Sequence, residues 1–139
     1  NELEMTSTTR DPNRPDWSWT HTTPHDQVVL LQKLLGGTDA ILTEDRLYEL
    51  DIMRKTNPSQ IWGVGSMRSS EVAVQMKDGW VQFTSTDGLW AVNSMGHVEG
   101  EGRNYLAAMM CRMPTFAQGR TLLNDIGQDI FRVLGTGTI

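Results

Sequence analysis

An α+β fold, with an antiparallel sheet of at least three strands packed against helices, is what this chain predicts on three observations. Two segments that carry helix-start residues and apolar positions at helical spacing come first. Three apolar-rich segments separated by short glycine-bearing stretches follow, and a final segment returns to helical spacing. The 139 residues, 38% of them hydrophobic, can bury one core, and no internal repeat or low-complexity tract divides them.

Residues 1–22 hold Thr6, Ser7, Thr8, Thr9, Pro12 and Pro15 without sustained periodicity, which predicts an irregular segment. Trp17 and Trp19 alternate with polar neighbours there, so one side of that segment is expected to lie against something apolar. From residue 23 onward the chain reads as an α+β domain. The first helix, about 23–35, opens on Thr23 as cap, Pro24 at the first helical position and Asp26 in the first turn. Its apolar face is Val28, Leu31 and Leu35, widened by Leu30 and Leu34, and Gly36-Gly37 ends it. Thr43, Glu44 and Asp45 repeat the start signal for a helix over about 43–55, with Leu47, Leu50 and Met53 turned inward and Asn57-Pro58 as its stop.

The short apolar run from Ile61 to Gly65 reads as an edge strand or an extended lead-in to the sheet. Strands are then predicted over about 71–78, 88–98 and 104–113. In the first, Val72, Val74 and Met76 face one way and Ala73, Gln75 and Lys77 the other, and Lys77-Asp78-Gly79 stands where the strand ends. Gly96, Gly100 and Gly102 are expected to mark the turn between the second and third strands. Pro114 breaks the sheet, and a last helix over about 115–134 presents Leu123, Ile126, Ile130 and Val133 on one face, with Gly135 as terminator.

Twelve basic and 17 acidic residues leave a net charge of −5, which offers no basic patch for nucleic acid or an anionic membrane. No apolar run reaches the length of a membrane-spanning helix, and no charged start followed by an apolar segment reads as a signal peptide. The chain begins at Asn1 rather than Met, so the expectation is that a leader or a larger upstream segment belongs to it. Cys111, the single cysteine, excludes an internal disulfide and lies in an apolar run, where a thiol packs as a small buried residue. His21 and His25 have the spacing of a helical metal pair, but Pro24 starts the helix between them and no third ligand stands near, so no metal is expected. His97 is a candidate acid or base and, more simply, a structural or exposed histidine. Gly63-x-Gly65 precedes no helix and makes a poor dinucleotide site, and the eight methionines read as core filler, so no cofactor is expected.

Lys77 is the residue with the clearest chemical possibilities. At the mouth of the sheet its ammonium can hold a carboxylate or stabilise charge near a nucleophile, while Gly79 lets a substrate backbone approach the strand. By spacing alone Lys77 is first a solvated charge before an ordinary turn. Five stretches in order change that reading. Thr22-Thr23-Pro24, Gln60-Ile61-Trp62-Gly63-Val64, Lys77-Asp78-Gly79-Trp80, Val92-Asn93-Ser94-Met95-Gly96 and Arg103-Asn104-Tyr105 resemble, across roughly residues 20–134, motifs of the class A β-lactamases and related penicillin-recognising serine hydrolases. In that family a Lys-Thr-Gly or Lys-Ser-Gly box lies on the strand lining the active site, and actinobacterial-type members carry Thr-Thr-x or Thr-Thr-Pro, Gln-x-Trp-Gly-Val, Lys-Asn-Gly-Trp, Val-Asn-Ser-Ile-Gly and Gly-Arg-Asp-Tyr at the corresponding places.

The resemblance implies the C-terminal part of a secreted or envelope-associated serine hydrolase acting on β-lactams, stem peptides or small esters. Residues 1–22 would then be omega-loop-like, with Lys77, Asp78, Gly79 and Trp80 on the substrate side and Asn93 and Arg103 as further candidates. The family's nucleophile comes from a Ser-x-x-Lys box, with a Ser-Asp-Asn box assisting, and neither occurs here. Glu2, Glu4, Asp11 and Asp16 lack the Glu-x-x-x-Asn spacing of the omega-loop base, and Asp78 replaces a hydroxyl donor to the substrate carboxylate with a negative charge that would repel it. The expected partners are therefore the missing N-terminal segment or a second copy of the chain, and a small β-lactam, peptide or ester ligand. The alternative reading is a non-catalytic binding or structural domain that keeps the sheet without the chemistry.

Overall fold

The computed structural model describes residues 3–13 and 20–135, and the expectations for Glu2, Asp16, Trp17 and Trp19 fall outside them. Within these bounds the irregular N-terminal segment is tied by a two-residue antiparallel ladder. Strand β1 (Thr9–Arg10) pairs with β2 (Thr20–His21), Thr9 opposite His21 and Arg10 opposite Thr20. Such a short ladder has no hydrophobic alternation, which is why the sequence did not announce it.

Helix α1 spans Pro24–Gly36, and α2 spans Thr43–Arg54. The Thr23 hydroxyl accepts from the Asp26 amide at 3.2 Å, and Gly37, at φ +93°, closes α1 by donating to the Lys33 carbonyl. Only glycine takes that φ at little cost. Helix α2 begins differently from expectation: Thr43 lies inside the first turn, the preceding Leu42 is the cap position, and no side chain caps it. Leu50 and Met53 are buried as predicted, but Leu47 is 55% exposed. Packing of α2 is mainly on the edge strand of the sheet, so it buries a narrow face.

Ile61 to Gly65 is not a strand. Residues Gly63–Met67 form a 3-10 turn, and Gly63 has φ +56°. The turn is wedged between sheet and C-terminal helix: the Val64 amide donates to Ser94 Oγ at 3.0 Å, and the Gly63 amide to Asn124 Oδ1 at 2.8 Å. A Cβ on Gly63 would overlap the Ser94 side chain.

The sheet is β3 (Val72–Gln82), β4 (Trp90–Gly100) and β5 (Arg103–Met113), antiparallel in the order β3-β4-β5. Strand β3 runs four residues past Asp78, so the Lys77-Asp78-Gly79 box lies within the ladder rather than at its end, with Lys77 opposite Met95 and Gly79 opposite Asn93. The β4–β5 turn is Glu101-Gly102, both at positive φ, the geometry that matches strand twist in a two-residue hairpin. Gly100 flanks that turn, but Gly96 does not: it sits within β4, where a Cβ would overlap the Gln75 carbonyl.

Helix α3 spans Phe116–Gly135, with Thr115 accepting from the Gln118 amide at 3.2 Å. Its buried face is Gly119, Leu123, Gly127 and Phe131, while Ile126 and Val133 are exposed, contrary to the pattern of large apolar residues. The two glycines explain the rotation. Gly119 lets the helix settle against Val92, and Gly127 lets it settle against the Gly63 carbonyl; neither contributes to a hydrophobic pattern.

Two cores result, one on each side of the sheet. On the α3 side Val72, Val74, Met76, Val92, Val98, Ala107 and Met109 pack with Val64, Leu123 and Phe131. On the other side Leu31, Leu34, Leu50 and Met53 pack with Met95 and Leu106. Helices thus cover both faces of the three strands.

Candidate functional site

Alternation along β3 sends Lys77 to the α1/α2 side of the sheet and Asp78 to the α3 side. A cleft of about 180 Å³ opens on the former side. Thr22 and Gln27, from the lead-in and first turn of α1, form one wall; Lys77, Gly79, Asn93, Met95 and Met110 are on the other, and Asp78, Ser94 and Met109 also border the cleft. Around Gly79 the space is open, since a Cβ there would meet nothing within 4 Å. A second hollow of about 300 Å³ lies between the end of α2 and β3, lined by Met53, Lys55, Thr56 and Asn57 and again by Lys77. Lys77 therefore stands between two hollows. Its ammonium donates to the backbone carbonyl of Asp78.

Asp78 is 5% exposed, and its Oδ2 accepts from the Trp62 amide at 3.2 Å. Burial pushes its carboxyl up from 3.8 to about 7, against the opposing pull of the Ser94 hydroxyl, the Trp62 amide and the Lys77 charge. The carboxylate expected to repel a substrate from the cleft is instead turned beneath the 3-10 turn, where it helps hold Trp62 to the sheet. Trp80 also leaves the cleft, stacking on the α3 side edge-on to Trp62 at 5.2 Å and near Phe116 at 5.7 Å.

Arg103 is remote. It opens β5 opposite Gly100, its Nε donates to the Phe131 carbonyl at 2.7 Å, and its guanidinium lies 3.8 Å from the centre of the Phe131 ring. It fastens the last turns of α3 to the hairpin and does not line the cleft, although the motif resemblance had put it among the site candidates. Of the six candidate residues, Lys77, Gly79 and Asn93 share the cleft side by side chain or open backbone, while the side chains of Asp78, Trp80 and Arg103 serve the opposite layer.

The remaining titratable candidates are accounted for locally. His97 lies between Gln75 Oε1 at 3.1 Å and Asn104 Oδ1 at 2.9 Å. The Gln75 amide is oriented by donating to the Leu50 carbonyl, so the histidine bridges β3 and β5 across β4. Burial pushes the Cys111 thiol up, and the thiol donates to the Val92 carbonyl, a setting opposite to that of a nucleophilic thiolate. Among the described residues no group of three His, Cys, Asp or Glu side chains converges as metal ligands would. The wall residues Thr22 and Gln27 were not anticipated as a pair; Gln27 is one polar position on an apolar helix, and only its bond from Nε2 to Thr22 Oγ1, at 2.8 Å, marks it out.

The model of the β-lactamase enzyme family matches residues 2–134. The chain belongs to that family. Solved structures agree on the fold. This chain is similar to a class A β-lactamase from Bacteroides cellulosilyticus, with 20% identity and a TM-score of 0.74 over 97% of this chain and 51% of the other. It is similar also to a β-lactamase from Sphaerobacter thermophilus, at 21% identity and a TM-score of 0.69 over 99% and 51% of the two chains. The chromosome-encoded β-lactamase of Vibrio parahaemolyticus gives 16% and 0.68 over 97% and 52%. A comparison with curated proteins returned no match. This β-lactamase family member thus spans about half the length of the solved structures it resembles and corresponds to the C-terminal part of the class A fold. Within it, Ser-x-x-Lys and Ser-Asp-Asn are absent from the sequence.

Proposed function

We propose that this chain contributes the Lys-x-Gly strand and one ligand-binding wall to a serine hydrolase of the β-lactamase/DD-peptidase class, the nucleophile coming from polypeptide outside it. The observation that supports this most is the cleft in which Lys77, Gly79 and Asn93 oppose Thr22 and Gln27. Lys77 would take the carboxylate of a β-lactam, stem peptide or small ester. Gly79 would offer its backbone to the same ligand, and Asn93 an amide. With Asp78 turned away, the hydroxyl donor that the family places after the lysine is not replaced, so carboxylate recognition would rest on Lys77. Family membership suggests an extracellular or envelope setting.

Two features favour association with the remainder of the protein or with a second copy. The outer edge of β5 is unpaired among the described residues, and Leu122, Ile126 and Val133 expose apolar surface on α3. The competing reading, a non-catalytic binding or structural domain, draws on the missing serine boxes and on the structural use of Asp78.

Titration of isotope-labelled protein with benzylpenicillin separates the readings. Shifts of the Gly79 and Asn93 amides that vanish in Lys77→Ala are expected, with no covalent adduct of a fluorescent penicillin on this chain alone. A stable adduct would place the nucleophile within these residues. Absence of any shift at millimolar penicillin or D-Ala-D-Ala peptide would favour the non-catalytic structural domain.

A further inference from the structure

The first turn of α1 has the spacing of a capping box, Thr23-x-x-Asp26, in which the acidic side chain would reach back to the N–H of its own cap. Only half of the box forms. The Asp26 amide donates to Thr23 Oγ1, but the Asp26 carboxylate is spent elsewhere. With no exposed surface, it accepts from the Ser7 amide at 2.9 Å and from the Thr8 hydroxyl at 2.6 Å. Among the described residues its Oδ1 accepts no hydrogen bond, and it lies 3.7 Å from the exposed His25 Nδ1. A wholly buried carboxylate with one oxygen unbonded is a poor way to stabilise a helix start, because an exposed local box would do so without desolvation.

What the carboxylate does hold is a path to the cleft. Thr8 Oγ1 also lies 2.9 Å from Thr22 Oγ1, which in turn accepts from Gln27 Nε2. Thr22 and Gln27 are the wall facing Lys77 and Gly79. Glu4, paired with Lys33 at 2.7 Å, fastens the same N-terminal stretch to α1 on the exposed side.

We infer that Asp26 is a positioning residue: through Thr8 it holds the Thr22–Gln27 wall at a set distance from the β3–β4 wall, so that ligand affinity depends on a carboxylate that touches no ligand. The affinity part rests on the cleft being the ligand site proposed above. The latch itself is read without ligand. In Asp26→Ala, exchange of the Ser7 amide should accelerate about tenfold or more while the β3–β5 amides keep their protection. The methyl resonance of Met110 across the cleft should shift, and benzylpenicillin should bind about tenfold more weakly. Asp26→Asn, which keeps one acceptor oxygen, should recover part of both effects. If Asp26→Ala does not fold, Thr8→Val carries the test, with affinity reduced and Ser7 protection retained. A merely structural role would lower the melting temperature and leave affinity unchanged below it, which overturns the inference. Unchanged Ser7 exchange in Asp26→Ala overturns it too, whatever the ligand does. A wild-type protein that protects Ser7 yet binds no penicillin refutes the ligand site instead, and overturns the affinity claim while upholding the latch.

Discussion

Burial of the Asp78 carboxyl beside Trp62 and Ser94 couples folding to pH. With its native value raised from 3.8 to about 7, the folded chain binds a proton more readily than the unfolded chain between those limits. The contribution is fully present below about 4 and is lost as pH rises through about 7. Asp78→Asn should remove this slope, so that wild type minus mutant stability falls by on the order of a few kcal/mol from pH 4 to pH 8, at about 1.4 kcal/mol per unit. Urea titrations at several pH values measure it, and parallel curves for the two proteins would show that the carboxyl stays ionised throughout. Lys77 illustrates the opposite case. Its identity and strand parity were legible in the sequence, but the neighbour that would have modified its chemistry proved to face the other layer.

At the scale of elements, glycine governs how α3 and the 3-10 turn meet. Gly127→Ala would drive a methyl into the Gly63 carbonyl, which is backbone and cannot swing aside. A loss of about 1–3 kcal/mol is expected by chemical denaturation. Gly36→Ala, where a Cβ meets nothing within 4 Å, should be neutral or slightly stabilising. The α1/α2 layer gives a second contrast: Leu31→Ala, at 0% exposure, should cost about 2–5 kcal/mol, whereas Leu47→Ala, at 55%, should stay within about 0.5 kcal/mol. Equal effects of the two leucines would mean that α2 packs more broadly than its contacts with β3 and α1 allow. The start of α1 was legible because Thr23, Pro24 and Asp26 each carry a local signal. The inward face of α3 was not, because glycine has no side chain for a hydrophobic pattern to count.

Both faces of the sheet are covered by helices, whereas neither outer edge is paired with a further strand among the described residues. Strand β5 is 11 residues long, and its outer edge is unpaired among the described residues; α3 carries exposed Leu122, Ile126 and Val133. Light scattering on this chain alone should therefore report species larger than 15.6 kDa. Ile126→Glu with Val133→Glu should reduce that association while leaving stability within about 0.5 kcal/mol, as expected of exposed positions. A cooperatively unfolding monomer at high concentration would refute the expectation.

The order of the three helices and the three long strands, the parity of β3 and the presence of Lys77 two residues before a glycine were determined by the sequence alone, because periodicity, caps and turn residues act over a few neighbouring positions. Tertiary structure decided which wall faces Lys77, that Asp78 lies beneath Trp62, that Asp26 reaches Ser7 and Thr8, and that Arg103 fastens α3. Those outcomes depend on which buried donor comes within about 3 Å of which acceptor. Such pairings link residues up to 61 positions apart, as Gly63 and Asn124 show, and leave no trace in local spacing.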